Sequence, residues 1–188
     1  GASLTALNAS ELGSGTVPTA RLGSGSASSS VFLAGDSTWI AAGGTAGTPN
    51  FLAVASTQSI GNSSDTAVIN PTEVFDTDSL YNTSDGKFTI TASTEGVYWI
   101  FGQCGYALMT STRTQNQIWV NGSLNTTDKD GARTEYGIVS SYGSIGAAKL
   151  INLADGDYVQ FYTNQVSGGS ISLSGEKDKN FFGGFRIA

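Results

Sequence analysis

The chain contains no histidine among its 188 residues and only one cysteine, Cys104. Without histidine the commonest general base is missing, and neither a Ser-His nor a Cys-His nucleophile pair can form. An intrachain disulfide is excluded, and zinc would lack both histidine and a second cysteine. We therefore expect a protein that is not an enzyme, with no catalytic residue and no metal site to assign. A glycosidase that uses two carboxylates stays open, because aspartate and glutamate suffice for that reaction.

Charge is also scarce. Charged residues make up 13% of the chain, and the formal net charge is -6. The nine basic residues are scattered and form no basic patch for nucleic acid or for an anionic membrane. No apolar run approaches the roughly 20 residues that a membrane-spanning helix needs. We expect neither a nucleic-acid partner nor insertion into a membrane.

The residues that are plentiful favour short strands joined by turns. Glycine occupies 25 positions, and serine, threonine, asparagine and aromatic residues are frequent. No stretch has a convincing helical period, whereas strand signals recur from residue 50 onward. The predicted strands are residues 51–60, 72–81, 87–92, 97–108, 115–120, 134–142, 147–153, 158–164, 170–174 and 181–187. The pattern predicts an all-β sandwich or barrel.

The first 49 residues differ from the rest. Small residues are interrupted by single apolar ones, and the stretch ends in a Gly/Ala/Thr-rich joint at residues 42–49. Such a segment cannot bury enough apolar surface alone to offset its chain entropy, although identical chains wound around one axis could. We predict an extended low-complexity stalk at 1–49 and a β-rich head at 50–188; a plain disordered linker stays open for the stalk.

Spaced motifs in the head carry a resemblance. They are Gly86-Lys87-Phe88-Thr89, Gly96-Val97-Tyr98-Trp99-Ile100, Leu153-Ala154-Asp155-Gly156-Asp157-Tyr158-Val159 and Phe182-Gly183-Gly184-Phe185-Arg186-Ile187. In this order they resemble the globular heads of the C1q/tumour-necrosis-factor superfamily. The resemblance implies a jelly-roll sandwich that assembles as a homotrimer. The collagen-like stalk usual in animal members is absent.

The N-terminal segment carries a second resemblance. Leu7-Asn8-Ala9-Ser10-Glu11-Leu12, continuing to Leu22, and Phe32-Leu33-Ala34-Gly35-Asp36-Ser37-Thr38-Trp39 are similar to segments of bacteriophage tail-fibre and related virion proteins. The two resemblances together imply a trimeric virion fibre or spike tip. Its partners would be two further copies of itself, other virion proteins contacted through the upstream region, and a glycan or protein on the host cell surface.

The strand predicted at 158–164 supplies the candidates for the trimer interface. Val159 and Phe161 would face the core, which places Tyr158, Gln160 and Tyr162 on the opposite face. The resemblance implies that such a second face packs around a three-fold axis; coverage within one chain is the alternative. Other aromatic residues are candidates for core or interface positions, namely Trp99, Phe101, Trp119, Phe181, Phe182 and Phe185.

Receptor contacts are expected in loops, because the strands are used for core and trimer contacts. The candidate loops are residues 121–133, 142–146 and 165–180. They contain polar and aromatic groups suited to sugars or protein loops: Asn125, Asp128, Lys129, Arg133, Tyr142, Lys177 and Lys179. The alternatives to host recognition are a structural clamp that registers the fibre strands without binding a receptor, and a secreted C1q-like ligand.

Calcium is the only cofactor that stays open. Three pairs of aspartates are separated by one residue, at 76/78, 128/130 and 155/157, and loop carboxylates are calcium ligands. Asp128-Lys129-Asp130-Gly131 resembles the start of a calcium loop, but it has a lysine and lacks the terminal glutamate. Ordinary solvated turns are the alternative.

Overall fold

The computed structural model describes residues 48–107, 110–111, 113–125, 130–137, 139–140 and 144–187, with shorter pieces at 22, 24, 26–28, 31–33, 35, 37 and 39–41. The chain divides into two units, Gly1–Ala46 and Gly47–Ala188. In the first unit, β1 (Val31–Leu33) pairs with β2 (Trp39–Ala41) in an antiparallel hairpin. The stalk predicted for residues 1–49 lies largely outside the described residues and stays a prediction.

The second unit consists of short and long strands. They are β3 (Asn50–Val54), β4 (Ser59–Ile60), β5 (Thr66–Ala67), β6 (Thr72–Asp76), β7 (Tyr81–Asn82), β8 (Lys87–Thr89), β9 (Gly96–Gly105), β10 (Thr110–Ser111), β11 (Arg113–Val120), β12 (Ala132–Tyr136), β13 (Val139–Ser140), β14 (Ser144–Leu153), β15 (Tyr158–Val166), β16 (Ile171–Ser172) and β17 (Phe181–Arg186). The described residues contain no helix, and hence none long and apolar enough to cross a membrane.

While β4 pairs with β16 and β10 with β13 in separate two-stranded sheets, most of these strands form two large antiparallel sheets. One has five strands in the order β14-β9-β17-β3-β6, and the other has the order β12-β11-β15-β8-β7, with β5 also paired to β15. Apart from the consecutive pairs β7-β8 and β11-β12, neighbours in each sheet are distant in sequence, so the chain passes repeatedly from one sheet to the other. This connectivity and the apolar layer between the sheets are those of a jelly-roll sandwich.

The core lies between the sheets. Phe51 stacks on Phe88 with ring centroids 4.1 Å apart, which joins a strand of one sheet to a strand of the other. Phe161 of β15 packs against Gly102 of β9, where a Cβ would lie only 2.5 Å from the ring. The other side chains with no exposed surface include Ile60, Tyr98, Ile100, Cys104, Tyr106, Ile118, Val120, Val159 and Phe182.

The sandwich has two distinguishable ends. At the near end the chain enters the second unit, and the Pro49 carbonyl accepts a hydrogen bond from the Arg186 amide (2.9 Å). The turn at residues 154–157 lies at this end because it follows Leu153, which pairs with Gly96. The turn at 121–122 lies beside it, because Val120 pairs with Val159 and the Asn121 amide donates to Asp157. The far end carries the connections at 61–65, 167–170 and 174–180. These far-end loops are the part of the sandwich most distant from the point where the chain enters.

The predicted strands are confirmed as an all-β fold, with differences in detail. The run at 51–60 is split into β3 and β4 by Ala55, whose φ is 73°. The strand predicted at 134–142 begins earlier and is divided into β12 and β13, and β5 and β10 were not predicted. Two-residue strands carry too few alternating positions to be recognised from sequence.

Candidate functional site

The outer side of the five-stranded sheet is apolar. Along β9 the side chains of Tyr98 and Ile100 enter the core, and therefore Trp99 and Phe101 project to the opposite side. Antiparallel pairing places Phe185 beside Trp99 and Phe181 beside Gln103. Residues of β3 and β6 extend the surface. We call this surface the apolar face, formed by Leu52, Phe75, Trp99, Phe101, Phe181 and Phe185.

Large parts of the apolar face are exposed to solvent in the single chain. Phe75 is 45% exposed, Trp99 37% and Phe185 43%, and Leu150, which pairs with Trp99 across the sheet, is 50% exposed. Three aromatic side chains left open on one side of the same sheet form a patch of the kind that marks an interaction surface. The aromatic candidates are thereby separated into core and surface groups: Phe182 lies in the core, whereas Trp99, Phe101, Phe181 and Phe185 lie on this face.

A glycine determines the surface shape of the apolar face. Gly183 lies between Phe181 and Phe185, and a Cβ there would approach the Phe101 ring to 2.9 Å. The ring therefore lies over the Gly183 backbone. Two hollows remain, one of about 430 Å³ and one of about 280 Å³, and both are lined by Phe75 and Phe101. Aromatic and aliphatic side chains form most of the smaller hollow, and aromatic rings contribute to the larger one.

The outer side of the other sheet is polar and partly covered by its own chain. As predicted, Val159 and Phe161 are fully buried, and Tyr158, Gln160 and Tyr162 project outward. Gln160 is only 6% exposed, and its amide donates to the Asp85 carbonyl (2.9 Å). Contact of Tyr158, Gln160 and Tyr162 with a second copy of the chain stays a prediction.

Neighbouring side chains cover the two tyrosines of that strand in part. Tyr162 stacks on Trp119 with centroids 4.0 Å apart and an interplanar angle of 13°. The Lys87 ammonium lies 4.8 Å from the centre of the Tyr158 ring. Burial, followed by the nearby Tyr158 and Asp65, raises the pKa of the Tyr162 hydroxyl above its usual value. Both tyrosines are half-buried before any partner arrives.

The structure separates the predicted receptor residues into groups. Asn125 is exposed at the near end, while Lys177 and Lys179 belong to the connection at the far end. Lys177 lines the smaller hollow of the apolar face, and the Lys179 ammonium pairs with Glu176 at 2.5 Å. Asp128, Lys129 and Tyr142 lie outside the described residues.

Arg133 requires a correction, since it lies in a strand and not in a loop. It belongs to β12 and pairs with Gln117 of β11. The strand can begin there because Gly131 brings its backbone against the Ile118 carbonyl, where a Cβ would be 1.9 Å from the oxygen. A close approach of two backbones is not visible in the sequence, and the run of polar residues before Gly131 was therefore interpreted as one long loop.

Two aspartates of the candidate calcium pairs, Asp76 and Asp157, hold turns together. Asp157 accepts hydrogen bonds from the Asn121 amide and from the Ala154 N–H, both at 2.7 Å. Asp76 accepts the Tyr81 N–H at 2.6 Å. Among the described residues, no group of three or more carboxylate, cysteine or histidine side chains is placed to hold a metal ion. These two carboxylates are accordingly explained by turn geometry.

Comparison with known proteins shows the fold. The chain matches no protein-family profile, and no curated protein is similar to it in sequence. Among solved structures it is similar to murine APRIL (TM-score 0.57, 13% identity, 74% of this chain and 99% of that one). It is also similar to the globular domain of zebrafish complement 1qA (0.51, 17%, 74% and 98%) and to Eiger TNF from S. frugiperda (0.50, 13%, 75% and 93%). The chain has a C1q/TNF-like jelly-roll fold.

Proposed function

We propose that this protein is a non-enzymatic, homotrimeric binding head, and that three copies assemble through the apolar face. The observation that carries the proposal is the exposure of Phe75, Trp99 and Phe185 on one side of one sheet. Covering apolar surface contributes roughly 25 cal/mol per Å², so a set of large aromatic side chains supplies a substantial driving force. A closed cyclic assembly buries the same patch on every subunit and leaves no copy with an open face.

The apolar face is a better trimer surface than the face of β15. The polar groups of Gln160 and Gln117 are already hydrogen-bonded within the chain, and Tyr162 is stacked on Trp119. Removing water from this polar face would contribute less free energy to assembly than covering exposed aromatic rings, because desolvation of polar groups costs free energy. We therefore place the three-fold contact on the apolar face instead of on Tyr158, Gln160 and Tyr162.

The proposed setting is a virion fibre or spike whose head binds a ligand on the host cell. The setting is supported by the resemblance of the segments beginning at Leu7 and Phe32 to tail-fibre proteins. The direction is supported by the head itself, because its first described residues stand at the near end, opposite the far-end loops that we propose face the cell surface. Three identical sites on one rigid tip can raise the affinity by on the order of 10²–10⁴ over a single site.

Within the far end, the connection at residues 174–180 is the best-placed candidate for ligand contact. Lys177 stands at the edge of the apolar face, where an adjoining subunit would form the other side of a groove. Asn125 and Arg133 lie away from that connection, at the near end and on an edge strand respectively. Contacts in the far-end loops are therefore the ones we propose for the receptor.

The assembly is tested by light scattering and sedimentation of the full chain. We expect a particle of three times the 19.3 kDa chain mass. Phe185→Glu should dissociate it, because a buried carboxylate at the contact is strongly unfavourable. Tyr158→Glu is the matched control on the other sheet and should leave the particle intact. A monomeric wild type, or dissociation by Tyr158→Glu alone, would reject the proposed contact.

Ligand binding is tested with labelled trimer on a panel of bacterial strains and on a glycan array. Binding to at least one strain, reduced severalfold by Lys177→Glu and unchanged by Asn125→Ala, is the expected result. A trimer that binds neither cells nor glycans would favour the structural clamp. Release of reducing sugar from the bound polysaccharide would contradict a non-enzymatic role.

A further inference from the structure

A second candidate binding surface lies on the outer side of the six-stranded sheet. It is formed by neighbouring strands: Trp119 and Gln117 come from β11, Tyr162 from β15, and Asp65 from the segment before β5. We call these four residues the flank platform. It belongs to the opposite sheet from the apolar face, so it stays open if the copies assemble as proposed.

A chain of hydrogen bonds holds the flank platform in place. The indole N–H of Trp119 donates to Oε1 of Gln117 (2.7 Å), and Nε2 of Gln117 donates to Oδ1 of Asp65 (2.8 Å). The amide of Asn164 donates to the same oxygen (2.9 Å). The indole ring is also stacked on Tyr162. Each group thus has its orientation determined before any ligand binds, which lowers the entropy cost of binding.

The flank platform nevertheless keeps unused hydrogen-bonding capacity. Both bonds to Asp65 use Oδ1, and within the described residues nothing donates to Oδ2. Asp65 itself is exposed. The Tyr162 hydroxyl has only a long contact of 3.4 Å to Gln160. Oδ1 of Asn164, a side chain only 6% exposed, has no hydrogen-bond partner among the residues that the structure describes. A fixed acceptor and a nearly free hydroxyl therefore stand beside two half-buried aromatic rings.

This combination suits one class of ligand. A pyranose ring presents a C–H face that packs on aromatic side chains and hydroxyl groups that donate to a carboxylate while accepting from a phenol. The exposed Asp65 carboxylate repels sulfated or carboxylated sugars. We propose that the flank platform binds neutral hexopyranosides, with an outer face of the Trp119–Tyr162 stack contacting the sugar ring and Oδ2 of Asp65 accepting from sugar hydroxyls.

The proposal deepens the proposed function by naming a ligand class and a site separate from the connection at residues 174–180. It rests on that function only in that the platform must remain uncovered in the trimer. It also gives the strand of Tyr158, Gln160 and Tyr162 a role other than the trimer contact.

The test is calorimetric titration of the full chain with neutral oligosaccharides. The probes are hexasaccharides built from glucose, galactose, mannose and N-acetylglucosamine, with dextran sulfate as the anionic comparison. We expect at least one neutral probe to bind and dextran sulfate not to bind at this site. Asp65→Asn should weaken binding at least tenfold, because it keeps one acceptor oxygen for the two amides and replaces the free oxygen by a donor. Trp119→Ala should weaken it similarly.

Tyr136→Ala is the matched control, since Tyr136 is an aromatic residue of the same sheet that is 60% exposed on its edge strand. The sugar affinity of the Tyr136→Ala variant should equal that of the wild type. Failure of every neutral probe to bind, or equal binding by the Asp65→Asn variant, would refute the sugar site. A trimer that binds no sugar leaves the proposed assembly standing, whereas a monomer that binds sugar refutes the assembly and supports the site.

Discussion

The contact between Gly102 and Phe161 allows a quantitative test of the sandwich. In Gly102→Ala the new methyl carbon would lie 2.5 and 2.7 Å from two ring carbons of Phe161. The ring has no exposed surface and stacks against Phe182 at a centroid distance of 5.9 Å, which limits its room to move. Overpacking of this kind costs about 1–3 kcal/mol of unfolding free energy. Urea denaturation at one fixed protein concentration measures it, because the stability of an oligomer depends on concentration.

Two further variants make this test specific. Gly146→Ala changes a glycine on the outer side of the neighbouring strand, where the nearest atom to an added Cβ is a backbone oxygen at 3.4 Å, and should shift stability by less than about 0.5 kcal/mol. Phe161→Leu vacates the space that the methyl needs, so the double variant should be more stable than additivity predicts by about 1 kcal/mol or more. Unchanged stability of Gly102→Ala, or strict additivity, would refute the packing argument.

Three further predictions concern single side chains. Asn121→Ala should cost about 2 kcal/mol in urea denaturation, because Asp157 loses a donor at 2.7 Å and the Tyr158 N–H loses an acceptor at 2.9 Å; an unchanged midpoint would contradict this. Cys104 is fully buried, and burial raises its pKa, so a thiol reagent should react with it only after the protein unfolds. Rapid labelling of the native protein would contradict this prediction. Burial raises the pKa of Tyr81 to about 12, above the value near 10 expected in the unfolded chain. Its contribution to the free energy of unfolding should therefore be complete below pH about 10 and be lost as the pH rises towards 12. Phenolate absorbance follows the titration.

Much of the fold could be predicted because strand alternation is a local property. The period of two at residues 158–162 correctly assigned Val159 and Phe161 to the core. The turn at Asp85-Gly86 was recognisable because glycine there adopts a φ of 74°, a conformation that other residues rarely take. Such features depend on a few consecutive residues and need no knowledge of the partner strand.

The candidate site was less accessible from sequence. Trp99 and Phe185 were recognised as core or interface residues, yet they are 86 positions apart and meet only through the pairing of β9 with β17. Leu52 and Phe75 were not among the predicted site residues at all. Their one signal, an apolar residue at an outward position of a strand, acquires meaning only when the strands on either side are known.

The amino-acid sequence by itself determined that the head is all-β, that catalysis by histidine or by a cysteine pair is excluded, and which residues alternate in the strand that starts at Tyr158. These conclusions follow from composition and from the geometry of one extended chain. Tertiary structure alone decided which of the two outward faces is apolar and which is a hydrogen-bonded polar surface. The reason is that each face collects side chains from strands far apart in sequence, and no local pattern records which strands become neighbours.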